Sequence, residues 1–250
     1  MLFLRSLLFS ATMISATLVT SLVLILCAPL PFRLRSGVAR TYAMFVVGAL
    51  KSLCGLDYQV RGREHIPQGP AIIFAKHQST WETFALQLIF PAQVWVLKRE
   101  LMWLPFFGWG MATLRPISID RSSGRKAVKQ IVEQGRSRLE AGIWVTVFPE
   151  GTRVAPGQHK RWGMGGAILA EQTGYPVVPV AHNAGEFWAR RAFVKRPGTI
   201  TVVIGPTIET KGKKAAEINT EAQIWMQAAM AEISDVEKKA LAEVQGDKRK

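Results

Sequence analysis

The stretch Pro70-Ala71-Ile72-Ile73-Phe74-Ala75-Lys76-His77-Gln78-Ser79-Thr80-Trp81-Glu82 reads as a strand that ends in a polar loop and turns at once into a helix. Residues 71–75 form a short, unbroken apolar run behind a proline, the pattern of a strand buried on both faces. Ser79 followed three residues later by Glu82 is a capping box, and it opens an apolar helical run over residues 81–90. His77 stands five residues before Glu82. On one regular helix, ~100° per residue sends such a pair to different faces. With His77 in the loop and Glu82 in the first turn, they meet. An imidazole then sits at the C-terminal end of a strand with a carboxylate beside it, and in an open α/β sheet that edge is where ligands bind. The residues alone leave a plainer reading open, in which Glu82 only caps the helix and His77 is an ordinary loop histidine.

Outward from this stretch, residues 93–97, 116–119, 143–148, 177–181 and 199–204 repeat the β-rich pattern. Helical patterns cover 125–141 and 166–173, and one long final helix is expected over 219–244. The alternation predicts an α/β fold with a largely parallel central sheet flanked by helices. No internal repeat or linker divides it, so residues 56–250 read as one domain including the C-terminal helix.

Residues 1–55 are different. Between Arg5 and Arg33 lie 27 uncharged residues with a core rich in Leu, Ile, Val, Ala and Thr. A helix needs ~20 apolar residues to cross a bilayer, and a signal peptide has a shorter apolar region followed by a small-residue cleavage site. The segment therefore reads as a membrane anchor. Arg33, Arg35, Arg40 and Lys51 follow it while Arg5 alone precedes it, which places the bulk of the chain on the cytoplasmic side. Residues 38–53 are apolar but interrupted, and read as an interfacial helix, the second arm of a helical hairpin or a core helix. The anchor is expected to be separable from the chemistry, so that removing residues 1–33 releases much of the protein from membranes unless the second apolar segment holds it.

The 250 residues carry 32 Lys+Arg against 18 Asp+Glu, a net charge of +14, which calls for an anionic partner. Hydrophobic residues at 48% exclude wholesale disorder. The terminal run Lys248-Arg249-Lys250 reads as a solvated tail, and no nucleic-acid module is recognisable, so no nucleic acid is expected. Two cysteines, Cys27 and Cys54, exclude a disulfide framework and a cysteine zinc site, and the four histidines lack metal-binding spacing. No metal and no cofactor are expected.

A second chemical segment is Val147-Phe148-Pro149-Glu150-Gly151-Thr152-Arg153. It too follows a strand, so it is expected at the same sheet edge. Pro149 and Gly151 shape a turn around Glu150, and Arg153 offers a planar fork for a phosphate. Taken alone it reads equally well as a surface turn with a salt bridge.

His77-x4-Glu82 together with Phe148-Pro149-Glu150-Gly151-Thr152-Arg153 resembles the glycerolipid acyltransferase family, most closely its bacterial lysophosphatidic acid acyltransferases. The resemblance covers about residues 58–204. Lys98-Arg99-Glu100-Leu101, Pro105, Gly108 and Pro116-Ile117-Ser118-Ile119-Asp120-Arg121 look like the family's glycerophosphate-binding region, and Tyr175-Pro176-Val177-Val178-Pro179-Val180-Ala181 like its last motif. One departure is Glu82, where the family's usual partner is aspartate.

The resemblance implies acyl transfer from acyl-CoA or acyl carrier protein to the sn-2 hydroxyl of lysophosphatidic acid, giving phosphatidic acid at a bacterial inner membrane. Catalytic roles fall to His77 as general base and Glu82 as its partner. Substrate binding falls to Lys98, Arg121, Glu150, Gly151, Thr152 and Arg153. Glu150 is expected to position an acceptor hydroxyl or loop groups. Ser79 lies close to His77 but reads better as a cap, and no G-x-S-x-G occurs, so direct transfer without an acyl-enzyme is expected. Residues 101–109 either line an acyl path near the membrane or form ordinary core. Rival readings are an acyltransferase for glycerol 3-phosphate or another lyso-lipid, and a membrane-anchored protein that binds anionic lipid without turnover.

Overall fold

Ile72–Ala75 has every residue buried, and this apolar run becomes a central strand of a seven-stranded sheet. The structure is a computed structural model, and it describes residues 1–120 and 123–247. The strands are β1 (Leu56–Arg61), β2 (Ile72–Ala75), β3 (Gln93–Lys98), β4 (Ile117–Ile119), β5 (Trp144–Val147), β6 (Val177–His182) and β7 (Gly198–Ile204), in the order β1-β7-β6-β2-β5-β3-β4. The five strands from β6 to β4 run parallel, whereas β7 lies antiparallel to β6 and parallel to β1. The expected α/β architecture with a largely parallel sheet is present. β1 is a strand the sequence reading did not assign. It sits at an edge and is only partly buried, so its apolar signal is weak.

Helices cover both faces. On one lie α5 (Arg125–Glu140), α6 (Gly165–Thr173) and α8 (Ala215–Ile233), whose Ile131, Leu139, Leu169, Ile218 and Met226 join one buried apolar cluster. On the other, α3 (Trp81–Ile89) and α2 (Phe32–Cys54) bring Trp81, Leu86, Val46 and Leu50 into a second cluster. The single final helix expected over 219–244 is two helices, α8 and α9 (Asp235–Asp247). Ser234 is extended between them, and its Oγ accepts the Glu237 amide at 3.2 Å, so a Ser-x-x-Glu cap restarts the helix.

The N-terminal segment is a helical hairpin, α1 (Leu2–Leu26) against α2. Among the described residues, α1 alone is long and apolar enough to cross a membrane. Its amphipathy is inverted. Ser6, Phe9, Ser21 and Leu24 face the protein, whereas Leu4, Leu8, Ile14, Leu18 and Val19 point outward. Small polar groups allow close approach on the inner face: a Cβ at Gly110 of α4 (Phe107–Thr113) would lie 2.9 Å from Ser21 Cα. Arg5 Nε donates to the Leu53 carbonyl at 2.7 Å, and Lys195 Nζ donates to Ser10 Oγ at 2.8 Å. Arg40 donates to the Gln87 carbonyl at 2.6 Å and the Leu88 carbonyl at 3.1 Å, near the end of α3. α1 is thus docked along most of its length, and Phe9 belongs to the same cluster as Trp81 and Val178.

Candidate active site

β2 and β5 are adjacent parallel strands, so the loops that leave them open at one sheet edge. That edge holds both motifs. Past β2 the chain buries Lys76, exposes one side of His77 and enters α3. Past β5 it stacks Phe148 on the His77 ring, with centroids 3.9 Å apart and planes 15° apart. Trp95 of β3 stacks in turn on Phe148, at 5.9 Å. The imidazole plane is fixed by packing.

Its tautomer is fixed by hydrogen bonding. His77 Nδ1 lies 2.8 Å from Glu82 Oε1. Glu82 is fully buried, and its carboxylate also accepts the amides of Gln78 at 3.0 Å and Ser79 at 2.8 Å. Burial disfavours its charge, but the His77 hydrogen bond and the Ser79 amide outweigh this and hold the carboxyl below the usual glutamate range. An ionised carboxylate only accepts, so Nδ1 carries the hydrogen and Nε2 is left with its lone pair. The two readings of Glu82 merge, because one carboxylate both secures the helix entry and holds His77. The expected capping box forms only in part: α3 begins at Trp81 with Thr80, not Ser79, at its N-cap position. The fully buried Ser79 accepts the Trp81 amide on Oγ at 3.2 Å instead of the Glu82 amide, while its own amide donates to Glu82.

Glu150 departs from the expected substrate-facing position. It is buried, with Oε1 2.6 Å from Lys76 Nζ and Oε2 accepting the His77 amide at 2.8 Å. Its carboxylate is therefore spent on loop groups, the other half of the expectation for it. Gly151 provides the turn, with φ +68°, and donates to the Phe148 carbonyl at 2.9 Å. The Val154 amide donates to the His77 carbonyl at 2.8 Å and ties the two loops together.

His77 opens into a cavity of about 630 Å³. Thr152, Arg153 and Lys98 line it, whereas Glu150 and Gly151 do not. Arg153 is largely buried, and desolvation lowers the pKa of its guanidinium while Glu82 opposes that shift. Lys98 is half-exposed and pairs with Glu100 at 3.0 Å. Arg121 lies outside the described residues. The remaining wall is largely apolar, from Met13 and Leu24 of α1, Phe84 of α3, and Leu101, Phe107 and Met111. Residues 101–109 divide: Leu101 and Phe107 face the cavity, while Trp103, Phe106 and Trp109 are exposed beside α1.

Three residues near the site had escaped the sequence reading. His182 is fully buried, with Nε2 donating to the Lys76 carbonyl at 2.8 Å and Nδ1 accepting the Ala184 amide at 3.3 Å. Both nitrogens are used in a way only the neutral ring permits, and burial pushes its pKa down. Arg190 and Arg191 also line the cavity. They form the chain's only Arg-Arg pair, a signal without a motif to give it meaning. Among the described residues, no group of three His, Cys, Asp or Glu is placed to hold a metal.

The cavity joins an oriented imidazole, cations and an apolar wall, and comparison with known proteins specifies the class. Residues 57–183 match the family model described as Acyltransferase. A Pseudomonas aeruginosa protein named 1-acyl-sn-glycerol-3-phosphate acyltransferase is 44% identical over 240 residues, covering 94% of this chain and 93% of its own. A Limnanthes alba protein of the same name is 31% identical over 192 residues, 76% of this chain and 67% of its own. The crystal structure of the 1-acyl-sn-glycerophosphate (LPA) acyltransferase from Thermotoga maritima superposes with a TM-score of 0.76 at 20% identity, covering 93% of this chain and 97% of that one, and shows the same fold. The chain belongs to the acyltransferase family.

Proposed function

We propose that this enzyme transfers an acyl group from acyl-CoA or acyl carrier protein to the sn-2 hydroxyl of lysophosphatidic acid, giving phosphatidic acid. The observation that carries the reading is His77, held through Nδ1 on a buried carboxylate 2.8 Å away and opening into a cavity lined by cations and apolar side chains. An alcohol is a poor nucleophile at pH 7, so a base must take its proton as it attacks. Nε2 of His77 takes that proton while the hydroxyl oxygen bonds to the thioester carbonyl carbon. Glu82 stabilises the imidazolium, the C–S bond breaks, and the proton passes to the leaving thiolate. No side-chain nucleophile is required, in keeping with the buried hydroxyl of Ser79.

Lys98 and Arg153 hold the acceptor phosphate in this scheme, Arg153 through its planar fork. Lys76 and Glu150 position the histidine loop. The apolar wall takes acyl chain, and the outward face of α1 with Trp103, Phe106 and Trp109 meets lipid. The net charge of +14 and the cluster of cations after α1 favour the cytoplasmic face of a bacterial inner membrane.

The test pairs two acceptors, assayed with labelled acyl-CoA in mixed micelles. Losing one partner of a desolvated charge pair costs about 2–5 kcal/mol, so Arg153→Ala is expected to slow transfer to lysophosphatidic acid by well over tenfold. Arg153→Lys recovers only part, because the fork is lost. Equal slowing with neutral monoacylglycerol would make Arg153 a structural residue and overturn the phosphate assignment.

A further inference from the structure

We propose that Arg190 and Arg191 form a second anion subsite, distinct from Lys98 and Arg153, that holds the phosphate ester of the acyl donor's phosphopantetheine arm. The inference rests on the acyl-transfer reading above. Both arginines line the cavity into which His77 opens. The strand order β6-β2-β5-β3 brings the loops that leave β6, β5 and β3 to the sheet edge that presents His77, at the end of β2. Arg153 and Lys98 leave β5 and β3 on one side, and the chain that carries Arg190 and Arg191 leaves β6 on the other. Arg190 Nη1 donates to the Arg153 carbonyl at 3.2 Å, so the two groups adjoin without merging. Among the described residues, no carboxylate pairs with either guanidinium. Arg191 also holds φ at +62°, a left-handed conformation that costs a non-glycine residue and recurs at ligand sites.

Direct transfer gives such a subsite a role. Without an acyl-enzyme, donor and acceptor are bound together and each brings a phosphate, the acceptor's close to the attacking hydroxyl and the donor's a pantetheine arm away from the thioester. One pair of cations satisfies one phosphate. The second must be met by other donors, and two guanidiniums with no carboxylate partner supply forked donors for it. The phosphopantetheine phosphate is common to coenzyme A and acyl carrier protein, so a site that reads it serves either donor.

The experiment uses the full chain in neutral detergent micelles and the variant Arg190→Gln/Arg191→Gly. Glycine adopts φ +62° without strain, so the backbone of the loop is preserved. Hydrogen bonds to a charged group are worth enough for about a tenfold effect or more, so the KM for acyl-CoA is expected to rise at least that far while the KM for lysophosphatidic acid stays unchanged. The same rise is expected with acyl-phosphopantetheine, and it disappears with acyl-N-acetylcysteamine, which has the thioester but no phosphate. An equal loss with the truncated donor, or a rise confined to acyl-CoA and absent with acyl-phosphopantetheine, would overturn the proposal. So would an effect that appears only when anionic lipid is added, since the arginines would then read head groups. Calorimetric binding of coenzyme A to both proteins carries the test without turnover: weaker binding by the variant supports the subsite, and equal binding overturns it. Failure of the acyl-transfer reading would show separately, as a wild-type protein inactive with every donor.

Discussion

Oε1 of Glu150 lies 2.6 Å from Nζ of Lys76, and both side chains are buried beneath the loop that presents His77. This pair was unreadable as such in the sequence, where Glu150 read as positioning an acceptor hydroxyl or loop groups. Removing one partner of a buried ion pair strands the other charge and costs about 3–5 kcal/mol. Glu150→Gln is therefore expected to lower the melting temperature markedly and to reduce kcat without a selective rise in the KM for lysophosphatidic acid. A variant of normal stability with only a raised acceptor KM would restore Glu150 to the substrate.

His182 sets a pH dependence of stability. Its pKa is lowered by burial, so at falling pH the unfolded chain binds a proton that the folded chain refuses. The folded state is then expected to lose stability as pH drops below the ordinary histidine value, ~6.5, toward the lowered one. Thermal melts between pH 7 and pH 5 should show a smaller decline for His182→Gln than for wild type. Parallel curves would contradict this origin of the decline.

The N-terminal hairpin changes an expectation. Residues 1–33 read as an anchor separable from the chemistry, but α1 supplies Met13, Thr17 and Leu24 to the cavity and Phe9 to the core. A protein lacking residues 1–33 is expected to lose stability and transfer activity even in detergent, where membrane attachment is irrelevant. Full detergent activity with reduced membrane binding would show that the hairpin is only a tether.

Much of the fold was legible because the central strands are buried on both faces and read as unbroken apolar runs. The edge strand β1 was not, since half-buried residues dilute the signal. Ser234 was missed because helical composition runs through it, and only its cap geometry breaks α8 from α9. His77 and Glu82 stood out because a strand end, a cap and a helix lie within a few residues of each other. Lys76–Glu150, His182 and the arginine pair depend on contacts across more than 70 positions or on a cavity wall, which local pattern does not encode.

In the proposed mechanism Glu82 has two tasks, securing the entry to α3 and stabilising the imidazolium, and a substitution series separates them. Glu82→Asp keeps the charge with a shorter reach and is expected to retain substantial activity. Glu82→Gln keeps the shape but removes the charge that stabilises the imidazolium, and is expected to be much slower. Equal rates for the two variants, measured as kcat with saturating substrates, would leave helix capping as the whole role of this residue.

His77→Ala tests the central claim most directly. The side chain sits in a loop at the cavity wall, so its loss should leave the fold intact by melting temperature. General-base catalysis contributes typically ~10²–10⁴-fold, and the rate of phosphatidic acid formation from lysophosphatidic acid and acyl-CoA is expected to fall by that factor. A well-folded His77→Ala protein that keeps more than about a tenth of wild-type activity would fall outside that range and contradict the assignment.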